Sequence, residues 1–98
     1  MNIQALMKQA QNLQKDMLKA KEEIDNTIFV GKSSIVTVTS NGKKEIIDVK
    51  IENESLNGDD IEILQDMIIV AINDAFKQID KITEEKMGKY TNAMPGIF

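Results

Sequence analysis

The sequence predicts an α+β domain in which two helices flank a small antiparallel sheet. Three observations lead to this prediction. Apolar residues recur at helical spacing near both ends of the chain, apolar and polar residues alternate over residues 35–51, and an Asn41-Gly42 pair divides that alternation. An Asn-Gly pair between two alternating runs is a strong short-range signal for a β-hairpin. We therefore expect one domain over residues 1–98, in the order helix, three strands, helix.

Composition excludes several classes of function. The 98 residues include no cysteine and no histidine, which removes disulfides, thiolate metal sites and the commonest general base. We therefore expect no enzyme, no metal site and no cofactor. The formal net charge is −4 and all 12 basic residues are lysine, which contacts phosphate but lacks the fork with which arginine reads guanine. Any binding of nucleic acid must use a local basic surface.

Nothing in the sequence predicts export or insertion into a membrane. The first dozen residues include Gln, Lys and Asn and show no apolar core of signal-peptide length. The longest apolar run, residues 67–72, is far shorter than the roughly 20 residues that span a bilayer. We expect a cytoplasmic protein without a membrane partner.

The first helix is predicted over residues 1–25, with Asp25-Asn26 marking its end. Its apolar residues alternate steps of three and four, as in a coiled-coil seam that docks another helix. The seam consists of Ile3, Leu6, Ala10, Leu13, Met17, Ala20 and Ile24. The opposite side of the helix carries Gln4, Lys8, Gln11, Asn12, Lys15 and Lys19, with no carboxylate. Such a side is ordinarily a solvated helix surface, and phosphate binding is the alternative.

The sheet is predicted over residues 27–52, with strands at 27–30, 35–40 and 43–51 and a loop at 31–34. If Asn41 and Gly42 take the two positive-φ positions of a type I′ turn, Ser40 pairs with Lys43 and Val36 with Ile47. One side of the hairpin then presents its apolar residues to a core. These residues are Val36, Val38, Ile47, Val49 and Ile51.

The second helix is predicted over residues 59–87. Asp59 suits the N-cap and Glu62 completes a capping box, which explains the acidic cluster of Asp59, Asp60 and Glu62 without a metal. The middle of the helix is apolar nearly all round, and a helix buried on all sides must contact more than one small sheet. We therefore expect a homodimer. The predicted interface consists of Met67, Ile69, Val70, Ile72 and Phe76.

The end of the second helix becomes polar. Its lysines alternate with acidic residues, and Asp74 and Glu85 are spaced to pair with Lys77 and Lys81 as ordinary helix-surface ion pairs. Lys77, Lys81, Lys86 and Lys89 are therefore only secondary candidates for contact with DNA. Residues 88–98 show no periodicity and are predicted to form a tail. Met7, Met17 and Met67 are expected to fill the core.

Four short segments occur in a recognisable order over nearly the whole chain. They are Leu6-Met7-Lys8-Gln9-Ala10-Gln11, Ser40-Asn41-Gly42-Lys43 leading to Val49-Lys50-Ile51, Ile69-Val70-Ala71-Ile72-Asn73-Asp74-Ala75, and Met94-Pro95-Gly96. Together they resemble the YbaB/EbfC family of bacterial nucleoid-associated proteins. The resemblance implies an α-β-β-β-α protomer and a tweezer-like homodimer whose helical arms are thought to hold duplex DNA. The chain departs from the family at Lys32-Ser33-Ser34, where the family often has a glycine-rich loop.

Two classes of function remain. In the first, a dimeric nucleoid-associated protein contacts DNA phosphates and serves chromosome organisation or gene regulation. In the second, a small acidic dimer is a chaperone or an adaptor for replication or repair proteins, and its seam binds a partner helix. The acidic charge and the lack of arginine favour the second class, whereas the resemblance favours the first. The DNA-binding candidates are Lys8, Gln11, Asn12, Lys15, Lys19, Lys77, Lys81 and Lys86.

Overall fold

Two long helices and a three-stranded antiparallel sheet make up the computed structural model, which describes residues 2–52 and 57–93. The elements are α1 (Ile3–Asp25), β1 (Ile28–Ser33), β2 (Val36–Asn41), β3 (Ile46–Ile51), a 3-10 turn (Gly58–Asp60) and α2 (Ile61–Ala93). The sheet order is β1-β2-β3. The predicted α-β-β-β-α order is confirmed.

The core lies between α2 and the first two strands. Val36 and Val38 of β2 and Ala71 of α2 are fully buried, because α2 crosses β1 and β2 and packs its apolar side on them. Leu64, Met67, Ile68 and Ile72 of α2, together with Ile35, surround this centre and are half-buried. Strand β3 has little contact with α2 and is exposed along its whole length.

The predicted hairpin register is wrong. Val36 pairs with Ile51 and Val38 with Val49, and a bulge follows Thr39. The turn is longer than two residues because the Asn41 side-chain oxygen accepts the amides of Lys43 and Glu45, at 2.9 and 3.1 Å. Lys44, with φ 62°, takes the left-handed conformation that was expected of Asn41 and Gly42. The longer turn puts Ile46, and not Lys43, opposite Ser40.

The predicted loop over residues 31–34 is largely strand. β1 continues through Gly31 to Ser33, and only a tight turn at Ser34 and Ile35 separates it from β2. Gly31 stays in the strand because the α2 backbone passes directly over it, a known reason for glycine inside a strand. Ser34 has φ 53°, a left-handed conformation that favours glycine.

The ends of α2 differ from the prediction. Asn57, not Asp59, is the N-cap residue, and it caps the 3-10 turn that leads into α2: its side chain accepts the Asp59 amide at 3.0 Å, and the Asp60 carboxylate accepts the Asn57 amide at 3.2 Å. At the other end α2 continues to Ala93, past the predicted boundary at residue 87. It continues because Tyr90 is buried against α1. The rest of the predicted tail, residues 94–98, lies outside the described residues.

The α1 seam packs against α2 of the same chain over its second half. Met17 and Ile24 form a buried cluster with Met87 and Tyr90, and Leu13, Ala20 and Ile82 pack around it. The first half of the seam has no such cover: Ile3 is 69% and Leu6 49% exposed. Met7, expected to fill the core, is 58% exposed, whereas Met17 is buried as expected.

Candidate nucleic-acid interface on the first helix

Helix α1 is a long arm whose second half packs against α2 and whose first half has no such cover. Asn2 caps its start by accepting the amides of Gln4 and Ala5, at 3.0 and 3.3 Å. Its 23 residues extend for about 34 Å at 1.5 Å per residue. The protein measures 71 × 19 × 14 Å, so the arm contributes to a markedly elongated shape.

Lys8, Lys15 and Lys19 form one surface of the arm, which we call the lysine face. At 100° per residue the three side chains fall within about 40° of each other, and they are spread over about 16 Å of helix. Leu13 and Met17, which pack toward α2, lie roughly 120–180° away from these lysines on the same helix. The lysine face therefore points away from the rest of the chain, and all three lysines are exposed.

The arm is locally basic although the chain is acidic. Between residues 3 and 21 four lysines stand against one aspartate, Asp16, a surplus of three positive charges in a chain of net charge −4. Within the described residues none of the three lysines of the lysine face forms an ion pair. The fourth, Lys21, points elsewhere and pairs with Asp25 at 3.1 Å. Three cations are thus available to an external anion.

Neutral hydrogen-bonding groups lie beside the lysine face. Gln11 and Asn12 are exposed, and both fall within about 60° of Lys8 around the helix. Glu22 and Glu23 border Lys19 in a shallow depression near the end of the helix. The surface is therefore basic along its middle and acidic at the end nearest the sheet.

The secondary lysine candidates on α2 do not form one surface. Lys77 and Lys81 lie within about 40° of each other around α2, whereas Lys86 lies about 180° from Lys77. The expected pair between Asp74 and Lys77 is not formed; the Asp74 carboxylate accepts the backbone amide of Lys32 at 3.0 Å instead. Lys77 shares a depression with Lys32, which sequence reasoning did not single out because it lies 45 positions earlier.

The predicted interface residues on α2 fall on two sides of that helix. Phe76 lies on the side of α2 toward β3, because Nζ of Lys44, in the β2–β3 loop, is 5.6 Å from the centre of its ring. Ile69 and Ile72 lie on the same side of the helix. Val70 lies on the other side, toward Lys32 of β1. Met67 and Ile72 are half-buried in the core, whereas Ile69 and Val70 are 55% and 53% exposed.

The described part of the chain offers neither a metal site nor a membrane-spanning helix. In the described part of the chain, no group of three acidic side chains is placed to hold a metal ion. No helix within residues 2–52 and 57–93 is long and apolar enough to cross a membrane. The lysine face remains the surface on which the sequence and the geometry agree.

Comparison with known proteins gives consistent matches over nearly the whole chain. A family model described as the YbaB/EbfC DNA-binding family matches residues 1–94. A nucleoid-associated protein of Lactococcus lactis subsp. cremoris is 48% identical over 97 residues, covering 97% of this chain and 98% of the relative. A nucleoid-associated protein of Ligilactobacillus salivarius is 42% identical over 99 residues, covering 99% and 95%. The crystal structure of an uncharacterized Helicobacter pylori protein superposes with a TM-score of 0.69 at 26% identity, covering 96% and 98%.

Proposed function

Because the chain belongs to the YbaB/EbfC DNA-binding family, we propose that it is a nucleoid-associated protein that binds duplex DNA through lysine–phosphate contacts on α1. The observation that supports this site is the lysine face: Lys8, Lys15 and Lys19 are exposed, share one direction and have no ion-pair partner among the described residues. The relatives of this chain are named nucleoid-associated proteins, which supports a location on the nucleoid.

The proposed contacts are electrostatic and tolerant of sequence. Lysine binds phosphate as a point charge, and phosphate contacts fix position on the duplex without reading bases. Gln11 and Asn12 add neutral hydrogen bonds to phosphate or sugar beside the lysines. Lys77, Lys81 and Lys86 on α2 are proposed as secondary contacts. A protein that binds in this way suits chromosome organisation, and it affects gene regulation by occupying DNA and not by recognising one operator.

We propose further that the protein acts as a homodimer. Ile46, Val49 and Ile51 of β3 are 38–41% exposed, and Ile69 of α2 is exposed on the side that faces them. The two surfaces are apolar and adjacent, so a two-fold related copy can cover β3 of one chain with α2 of the other. Phe76 and Ile72 border this contact, whereas Met67 and Val70 lie outside its centre. Two lysine faces in one dimer double the number of phosphates that are contacted.

The experiment is a titration of duplex DNA with two variants of equal net charge. The first carries Lys8→Gln, Lys15→Gln and Lys19→Gln, and the control carries Lys32→Gln, Lys43→Gln and Lys50→Gln on the sheet and its loop. We expect the first variant to bind more weakly than the control by a similar factor on unrelated duplexes. Equal affinities of the two variants would contradict the proposal that the lysine face binds DNA.

A second candidate is supported by one observation at the tip of the arm. Ile3, Leu6 and Met7 are 49–69% exposed. Ile3 and Leu6 continue the seam that α2 covers further along, and Met7 lies beside them. An amphipathic helix of a replication or repair protein is a suitable partner for such a surface. A Leu6→Gln variant that keeps its affinity for DNA but loses a protein partner in cell extracts would favour this second function.

A further inference from the structure

The β2–β3 loop, residues 42–45, completes the C-terminal end of α1. A helix leaves its last four carbonyl groups without partners inside the helix. Here the chain just after α1 satisfies three of them: the Asn26 amide donates to Glu22 at 3.1 Å, and Thr27 donates its hydroxyl to Glu23 at 2.6 Å and its amide to Ile24 at 3.0 Å. The fourth, on Asp25, accepts the amide of Gly42 at 3.2 Å.

The contact between Gly42 and α1 is too close for any side chain. A Cβ atom on Gly42 would lie 1.9 Å from the carbonyl oxygen of Ile24 and 3.0 Å from the Cα of Asp25. Both of these atoms belong to the backbone, so no rotamer change relieves the clash. Any substitution of Gly42 must therefore displace either the loop or the end of the arm.

The loop itself is held firmly and is tied to α2. The Asn41 carbonyl accepts the Lys44 amide at 3.2 Å, and the Asn41 side-chain amide donates to the Glu45 carboxylate at 3.0 Å. Lys44 then forms an ion pair with Asp80 of α2 at 2.8 Å. The loop thus connects the end of α1 to α2, the same helix against which the α1 seam packs.

A small rotation of α1 about its C-terminal end produces a large displacement of its N-terminal end. A cleft of about 420 Å³ lies where α1, the loop and α2 meet, and it is bordered by Lys21, Thr83 and Met87. Because α1 is about 34 Å long, a rotation of 10° about its C-terminal end would move its N-terminal end by about 6 Å. That movement equals the width of the minor groove of B-DNA, about 6 Å.

We infer that the β2–β3 loop sets the direction of the α1 arm, with Gly42 and Lys44 as positioning residues for the lysine face. The effect on DNA rests on the proposed function, whereas the effect on the arm does not. A loop that only stabilised the helix end would change the melting temperature of the protein and leave the direction of the arm unchanged.

The experiment measures the arm directly, because the chain has no cysteine of its own. Spin labels on Gln9→Cys in α1 and Asp66→Cys in α2 report the distance between arm and body, with labelled chains diluted into unlabelled ones. Gly42→Ala is compared with Gly88→Ala, since a Cβ on Gly88 meets nothing within 4 Å. We expect Gly42→Ala to shift the mean distance by several Å and Gly88→Ala to leave it unchanged.

Lys44→Gln is the second variant and decides the matter if Gly42→Ala does not fold. It removes the ion pair with Asp80 at an exposed site, with Lys43→Gln as its charge-matched control. We expect a broader distance distribution for Lys44→Gln alone. A mean and a width equal to those of the unsubstituted chain in every folded variant of Gly42 and Lys44 would overturn the inference.

DNA titration of the same variants separates the two proposals. If both hold, Gly42→Ala loses at least one phosphate contact, and the slope of log K against log salt flattens by about 0.9 or more. If the arm shifts while the unsubstituted protein shows no salt-dependent binding of duplex, the positioning role of the loop stands and the proposed function fails.

Discussion

Gly31 of β1 lies so close to Ala71 of α2 that a Cβ atom on Gly31 would be 2.1 Å from the Ala71 carbonyl oxygen. Two side chains of α2 extend this contact along the outer edge of the strand. Gln78 donates to the Val30 carbonyl at 2.8 Å, and the Asp74 carboxylate accepts the Lys32 amide at 3.0 Å. This edge of the sheet is therefore closed to a further strand, whereas β3 at the other edge is exposed.

Gly31→Ala should destabilise the fold strongly. The added methyl group meets backbone atoms, so strand and helix must separate, and overpacking of this kind costs about 1–3 kcal/mol. We expect a loss of about 3 kcal/mol in urea unfolding. The control is Gly58→Ala, because a Cβ on Gly58 meets nothing within 4 Å. Equal unfolding midpoints for the two variants would contradict the contact.

Ser34→Gly should stabilise the protein. Ser34 holds φ 53°, where a side chain costs about 1–2 kcal/mol, and glycine removes most of that cost while losing about 0.5–1 kcal/mol to its freedom in the unfolded chain. We expect a gain of up to about 1 kcal/mol in chemical denaturation. Ser33→Gly, inside β1, should instead lower the stability. A loss of stability in both variants would contradict the left-handed conformation of Ser34 in the turn.

Tyr90→Ala should weaken the attachment of α1. Tyr90 is only 4% exposed in the cluster with Met17 and Ile24, and truncation of a large buried aromatic residue costs about 3–5 kcal/mol. Hydrogen exchange should speed up in α1 more than in the sheet. Glu85→Ala, at an exposed position of the same helix, is the control. Unchanged hydrogen exchange in Tyr90→Ala would contradict the packing of Tyr90 on α1 and would favour the predicted tail over residues 88–93.

Ile69→Lys should break the proposed dimer while the chain stays folded. Ile69 is 55% exposed in one chain, so a lysine there is tolerated by the monomer but leaves an unpaired charge at the contact. Ile63→Lys is the control: it has the same exposure and lies about 120° around α2. Sedimentation should give monomer for the first and dimer for the second. If both variants sediment as dimers, Ile69 does not lie in the interface.

The features that depend on periodicity were predictable from the sequence. The three- and four-residue spacing located α1 and placed Lys8 and Lys15 opposite Leu13 and Met17, as the structure has them. The alternation over residues 35–51 located β2 and β3. In both cases each residue contributes to the same pattern, so an error at one position does not alter the result.

The features that depend on one side chain or on a distant contact were not predictable. The hairpin register follows from the Asn41 side chain, which captures the amides of two later residues and lengthens the turn. The extent of α2 follows from burial of Tyr90 against a helix more than sixty residues earlier. The partner of the last carbonyl of α1 comes from Gly42, through a close approach that local sequence does not encode.

The most direct test of the central claim is the salt dependence of duplex binding by the Lys8→Gln, Lys15→Gln, Lys19→Gln variant. Each lysine that meets a phosphate contributes about 0.9 to the slope of log K against log salt, so loss of three contacts in each chain of a dimer should flatten the slope by about 5. Circular dichroism and sedimentation confirm that the variant keeps its fold and assembly. A slope and an affinity equal to those of the unsubstituted protein would show that the lysine face does not hold DNA.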